Sequence, residues 1–358
     1  MTTIQDVARL AHVSVSSVSN ALNGKADRMR PDTYARIQDA IRKLGYRPSQ
    51  AARQLKTGRI PILGLLVPTT ANPFFGQLAM AMENHAQQQH GYRVLLCNTH
   101  RDKQQEAAMF DDLIAFGVGA VIVVSSLSDE QHIEAAIARG LAVISFDLAV
   151  DPNIDAQHDY VLPDNVMAGT LAARHLIEQG HKRLAFAMPK GLTFSRRQKI
   201  EGFMAAIDQA GPGVTGRVIE GKSATRFGDT ELAGLGYDLS SSIAALDPRP
   251  TGVVTVNDMM AVGLMAGIRE KGLSIPQDIS IVGMDDLTLS AYTWPPLTSV
   301  CMPATEMSRV MVDRAVQRIR EPNLKAEQFY FTPTLTIRQS VAAPPPSGKK
   351  AKPRIPKS

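Results

Sequence analysis

"TIQDVARLAHVSVSSVSNALNG", residues 3–24, holds two short amphipathic helices and the turn between them. Thr3 followed three residues later by Asp6 has the form of a capping box, and Ile4, Val7, Ala8 and Leu10 or Ala11 share one face. The first helix is expected to run to about Ala11. "AHV" then makes the turn, with His12 in the left-handed conformation that histidine tolerates better than most residues bearing a side chain. Ser14 is expected to cap the second helix, with Val15, Val18, Ala21 and Leu22 packing, Ser16, Ser17 and Asn20 turned away, and Gly24 as the stop. A third helix, "PDTYARIQDAIRKLG", begins after Pro31 and ends at Gly45, with Tyr34, Ile37, Ala40, Ile41 and Leu44 as its apolar stripe.

Charge is segregated along the 358 residues. Residues 1–59 hold eleven Lys and Arg against four Asp, a net of +7, and residues 341–358 hold five cations and no acid. The total is only +5, so residues 60–340 carry −7. A basic head on an acidic body is expected where one end meets a polyanion and the rest must stay off it. Two helices joined by a short turn inside a basic segment form a helix-turn-helix, whose second helix lies in the DNA major groove.

"TIQDVARLAHVSVSSVSNALNG" followed by "LGYRPSQAARQL" (residues 44–55) resembles the head of the lactose-repressor (LacI/GalR) family, and the resemblance runs over roughly residues 2–340. It implies a homodimer that sets two heads in successive major grooves of a pseudo-palindromic operator. By position in that family, Val15, Ser16 and Asn20 fall where bases are read, and Ser14, Ser17 and Ser19 where phosphates are touched. Val15 departs from a hydrogen-bonding reader, since it can meet only a thymine methyl; Asn20 suits adenine. The stretch "RPSQAARQLKTGR", residues 47–59, then acquires a purpose. The resemblance implies a hinge helix formed only when two copies pair over the minor groove, with Leu55 as the wedge at a base step and Arg53 and Lys56 beside it toward the phosphates. A segment whose one large apolar side chain is meant for DNA has nothing to bury without it, and it is too short to nucleate alone.

From Ile60 apolar runs of strand length alternate with helical stretches: "PILGLLVP", "YRVLLCN", "GAVIVV" and "LAVISFD", then from about residue 158 "DYVLPD", "RLAFAMP", "RVIEG", "GVVTVND" and "ISIVGMDD". That alternation predicts an α/β chain: the three-helix head followed by a periplasmic-binding-protein-like body of two doubly wound parallel-sheet subdomains. The expected divisions are 1–46 for the head, 47–59 for the hinge, 60–340 for a body that dimerises and binds an effector, and 341–358 for a disordered basic tail. The chain is expected to cross between subdomains near residues 147–160 and 285–305.

Ligands bind at the carboxyl ends of such strands, in the cleft between two halves. The polar residues there are Asp147, Asn257, Asp258, Asp285 and Asp286. Asp258 and Asp286 are expected to cap the helices that follow. The family resemblance gives Asp147, Asn257 and Asp285 to the effector pocket, adds Phe74 and Phe75 from "NPFF", and adds Arg197 and Lys199 from "SRRQKIEGF". Lys199 stands where many relatives carry arginine, without the planar bidentate fork. Carboxylates and an amide facing a cation over an aromatic face suit a polyhydroxylated ligand, a sugar or sugar derivative. "EGKSATRFGDTELAGLGYDL", residues 220–239, is longer than the family's usual connection and is expected at the pocket rim.

Other functions find no support. "GRVIEGKS", residues 216–223, matches the phosphate-loop pattern, but Val218 and Ile219 belong to a strand, whereas a true loop follows one and opens a helix. There is no nucleophile elbow, catalytic triad or metal-ligand spacing, so neither an enzyme nor a cofactor is expected. Cys97 and Cys301 read as strand core residues. No run approaches the roughly 18 apolar residues of a membrane span, and a soluble cytoplasmic protein is expected. The expected function is a DNA-binding regulator, a repressor, controlled by a small effector; the rival is a sugar-binding protein without operator specificity.

Overall fold

The computed structural model describes residues 2–22, 29–46, 60–124, 131–148, 157–223, 227 and 229–346. Two compact units result, Met1–Ile60 and Pro61–Ser358.

In the first unit, α1 (Ile4–Ala11), α2 (Val15–Leu22) and α3 (Pro31–Leu44) follow the predicted pattern closely. The capping box is present: Thr3 Oγ1 accepts from the Asp6 amide while the Asp6 carboxylate accepts from the Thr3 amide. His12 ends α1 in the left-handed region at φ 53°, and Gly45 does the same for α3 at φ 57°. Ser14 caps α2, its Oγ accepting from the Ser17 amide at 3.1 Å. Val7, Ala8, Ala11, Val18, Ala21, Ile37, Ala40 and Tyr46 form the small core. Two residues depart from the expected stripes. Leu10 is 45% exposed and Val15 42% exposed, because the short α1 and α2 each turn only about half their circumference toward α3. Gly24 and the hinge, residues 47–59, lie outside the described residues.

The second unit holds two six-stranded sheets. The first runs β11 (Gln328–Phe331), β5 (Asp159–Pro163), β4 (Ala142–Phe146), β3 (Val118–Val123), β1 (Ile60–Val67), β2 (Arg93–Asn98). The second runs β12 (Thr334–Thr336), β10 (Thr298–Cys301), β9 (Ser280–Met284), β8 (Gly252–Thr255), β6 (Arg183–Pro189), β7 (Thr215–Gly221). Pairings are parallel except β10 with β12. The helices between them are α4 (Pro73–His85), α5 (Lys103–Ala115), α6 (Gln131–Ala138), α7 (Asn165–Glu178), α8 (Phe194–Ala210), α9 (Leu232–Ala245), α10 (Asp258–Glu270) and α11 (Ala304–Arg320). Central strands such as β3 and β9 are buried throughout, as sheets covered on both faces require.

The first crossing falls later than the sequence suggested, and the second falls within the expected 285–305. "DYVLPD" pairs with β4 as the first sheet's own β5, so the chain leaves that sheet only after Pro163. It returns between Cys301 and Ala304 and crosses once more between Phe331 and Thr334. The tail also begins later: Ala342 O accepts from His181 Nε2 and Ser280 Oγ, which fixes residues 341–342 to the second sheet. Cys97 and Cys301 are half-buried rather than core, Cys97 on the edge strand β2 and Cys301 at the last position of β10.

Close helix pairing sets the cleft wall. A Cβ at Gly169 of α7 would collide with the Lys199 carbonyl of α8, and one at Gly202 with the Val166 carbonyl. Two glycines facing backbone therefore let α8 lie directly on α7 and fix where its side chains emerge.

Candidate functional site

Between the carboxyl ends of the two sheets lies a cavity. Phe74, Phe75, Asp147, Lys199, Asn257 and Asp285 all line it, six of the seven residues that the sequence placed in a pocket. Arg197 does not: it is exposed, and the neighbouring Arg196 takes the inward position, 5% exposed. The reason is helical phase. Residues three apart share a face, so the residue that points with Lys199 is Arg196, while Arg197 lies about 200° round the axis.

Each side chain is held by its element. Asn72 caps α4, its Oδ1 accepting from the Phe74 amide, which starts the helix so that Phe74 and Phe75 sit edge-to-face at the cavity, centroids 5.6 Å apart. Asn257 caps α10 by accepting from the Met260 amide at 3.0 Å, leaving its amide nitrogen for the cavity. Asp147 and Asp285 follow their strands with φ of 58° and 106°, an uncommon conformation for non-glycine residues that turns them toward the cavity. Asp147 accepts from Asn165 Nδ2 at 2.7 Å, and burial raises its carboxyl, opposed by Lys199. Burial pushes Asp285 to about 7, again opposed by Lys199, and its Oδ2 is buried without a hydrogen-bond partner. An orphaned buried oxygen at a cavity wall is an acceptor waiting for a donor.

The expected caps behave differently. Asp258 does not cap α10; it accepts from the Leu287 amide and from the Ser290 and Ser299 hydroxyls, bracing the chain that follows Asp285. Asp286 caps nothing either, pairing with Arg338 at 2.7 Å and accepting from Thr336 at 2.8 Å. Both carboxylates are taken by β10, β12 or their flanks, which short-range sequence patterns do not reveal.

Three charged cavity residues escaped the sequence reading: Arg101, Asp229 and Arg196. Asp229 comes from the long 220–239 connection and does reach the rim. It accepts from Arg101 Nε at 2.6 Å and from Arg196 Nη2 at 2.8 Å, joining the first half, which supplies Arg101, to the second. Burial lowers Arg196 to about 10, opposed by Asp229, and the guanidinium stays charged.

In the head, Ser16 and Asn20 are exposed on the side of α2 away from the buried Val18 and Ala21, and Val15 is exposed as its first residue. Ser14 and Ser17 flank them at its first turn, their hydroxyls 2.9 Å apart. Arg53, Leu55 and Lys56 lie outside the described residues. The strand β7 covers "GRVIEG", so the phosphate-loop pattern opens no helix.

Residues 3–49 match the family model for bacterial regulatory proteins of the lacI family, and residues 173–341 match the periplasmic binding protein-like domain. The ribose operon repressor of Escherichia coli is 31% identical over 341 residues, covering 95% of this chain and 100% of the relative. The chain belongs to the LacI family. The transcriptional repressor PurR of Glaesserella parasuis is likewise 31% identical, over 95% of this chain and 98% of its own. A LacI-family regulator from Enterococcus faecium, solved with bound ribose, superposes with a TM-score of 0.69 at 26% identity, over 79% of this chain and 99% of that one. This LacI-family protein is thus a DNA-binding transcriptional regulator under small-molecule control, like its repressor relatives, and not an enzyme. No described helix is long and apolar enough to cross a membrane.

Proposed function

We propose that this regulator is a cytoplasmic repressor whose effector is a small sugar, held in the cavity between the two sheets. The observation that carries this reading is the composition of the wall: Asp147 and Asp285 as acceptors, Arg196 and Lys199 as donors, Asn257 as both, and the Phe74–Phe75 pair as an apolar face. A sugar needs this mixture, because its hydroxyls both donate and accept while its C–H faces pack on aromatic rings. The relatives named for ribose, or solved with it, support the same ligand class. On the DNA side, α2 enters the major groove with Val15, Ser16 and Asn20 toward the bases and Ser14 and Ser17 toward phosphates, and the hinge supplies Leu55, Arg53 and Lys56 over the minor groove.

The mechanism follows from the cleft. A ligand touching both halves favours one relative placement of them, and that placement sets the spacing of the two hinges in the dimer. The test is polarisation of a fluorescent pseudo-palindromic operator at two salt concentrations, with ribose and a panel of related aldoses. One sugar is expected to shift the half-saturation point at least tenfold; a downward shift identifies a co-repressor and an upward one an inducer. Arg196→Ala is expected to weaken that response and Arg197→Ala to leave it intact. If binding is weak, steeply salt-dependent and indifferent to every sugar, the protein binds sugar-like ligands without operator specificity and the repressor reading fails.

A further inference from the structure

Away from the cavity, a second constellation uses side chains that the regulator's cleft leaves idle. His85 closes α4, His90 closes the turn that follows, and Asp313 lies on α11. His85 Nε2 and His90 Nε2 each stand 2.7 Å from the same oxygen, Asp313 Oδ1. The other carboxylate oxygen faces Arg309, one turn earlier on α11, at 3.6 Å. All three side chains are partly buried, and among the described residues this is the one group of three or more His, Cys, Asp or Glu whose ligand atoms lie within 4.8 Å of each other.

The backbone is bent to make it. In an α-helix, residues five apart point about 140° away from each other, and His85 and His90 would not meet. Residues Ala86–His90 instead form a single π-turn, in which residues five apart come to one side; such turns are rare and concentrate at functional sites. The two imidazoles end with centroids 5.7 Å apart, edge-to-face, both Nε2 atoms aimed at one point.

We propose that His85, His90 and Asp313 form a binding site for a first-row divalent transition ion of the zinc class. Two imidazole nitrogens and one carboxylate oxygen are the donor set such ions take, with a fourth position left for water. Zinc bonds of about 2.0–2.2 Å put ligand atoms roughly 3.3 Å apart in a tetrahedron, so each 2.7 Å separation must open by about half an ångström, within reach of side-chain rotation. The remaining described histidines of the body are engaged otherwise or lack such partners: His132 with Glu106, His158 with Ser145, and His181 with Thr251 and Ala342. Because α4 begins at the cavity with Asn72, Phe74 and Phe75, and α11 begins just after the cavity residue Met302, the ion would tie the far end of α4 to the middle of α11, two helices that both start beside the cavity.

The experiment uses the full, untagged chain stripped with chelator and titrated with Zn²⁺ by calorimetry and by competition with a chromophoric chelator. One equivalent per chain is expected, with affinity reduced at least about tenfold in His90→Gln and in Asp313→Asn, since even groups supporting a metal ligand cost that much when lost. Zinc should raise the midpoint of thermal unfolding of the wild type and not of His90→Gln. Histidine ring signals in the NMR spectrum of the unmodified chain provide a check free of any folding defect, and those of His85 and His90 should shift with one equivalent of Zn²⁺. Absence of binding, binding that survives both substitutions, or ring shifts confined to other histidines would overturn the proposal.

Discussion

Asp159→Ala is expected to cost the body about 3–5 kcal/mol, a third or more of the stability of an ordinary domain. Asp159 is fully buried at the start of β5, and both its oxygens are shared by two guanidiniums. Arg314 donates through Nε and Nη2 at 3.0 Å each, Arg318 through Nε and Nη2 at 2.6 and 2.9 Å, and the Glu327 amide adds a bond at 2.8 Å. Taking the carboxylate away leaves two adjacent cations with little water to answer them, which is the expensive half of breaking a buried ion pair. The cluster also has an architectural role: it joins the strand by which the chain leaves the first sheet to the helix by which it returns. Burial pushes the Asp159 carboxyl up, but the bonds from Arg318, Arg314 and Glu327 outweigh it and hold the group below the usual carboxylate range. A folded-state value below the unfolded one contributes stability above about pH 4 that disappears as the pH falls through the folded value. The gap between wild type and variant in urea midpoint should accordingly be full at pH 7 and narrow in acid. A gap under about 1 kcal/mol at pH 7 would show that the cations find other partners.

How far the sequence reached depended on the range of the interaction. The head was legible because its signals are local: the Thr3–Asp6 box, the His12 turn, the Ser14 cap and Gly45 act within a few residues. The alternation of strands and helices was legible too. Which sheet "DYVLPD" joins was not, since an apolar run reads the same in either, and its pairing with β4 depends on partners outside the run. Helix α11 and strands β11 and β12 went unread for the same reason, and with them the partners of Asp286 and Asp159. In the cavity, strand-end residues were found because topology places them there. Arg196 was recoverable from phase alone, as the residue three before Lys199. The Arg101–Asp229 bond was not, since it joins loops 128 residues apart.

Asp285→Asn is expected to weaken the effector about tenfold to a hundredfold while making the empty protein more stable at pH 8. The two effects have one cause. Asp285 has an oxygen with no partner in the protein, beside Lys199 and Asn72, and burial raises its carboxyl to about 7. Its folded value lies above the unfolded one of about 3.9, so the folded state holds the proton more tightly and stability falls as the pH rises from about 4 to about 7. Asparagine keeps the size and abolishes the charge, so it removes this cost, and the variant's unfolding midpoint should exceed the wild type's above pH 7 and converge with it near pH 4. What the cost maintains is a desolvated acceptor: a hydroxyl donating to a buried carboxylate is a charge-assisted bond, worth about 1.5–3 kcal/mol, and the variant also presents a misplaced N–H donor. Effector affinity of the wild type should rise as the pH climbs through about 7, because the ionised form is the acceptor, and the variant's should be flat. A ligand titration at pH 6 and pH 8, followed by calorimetry or by the operator response, separates the possibilities. A wild-type slope of opposite sign would make the neutral acid the binding form, donating to the ligand. Unchanged affinity in the variant would remove Asp285 from the effector site altogether.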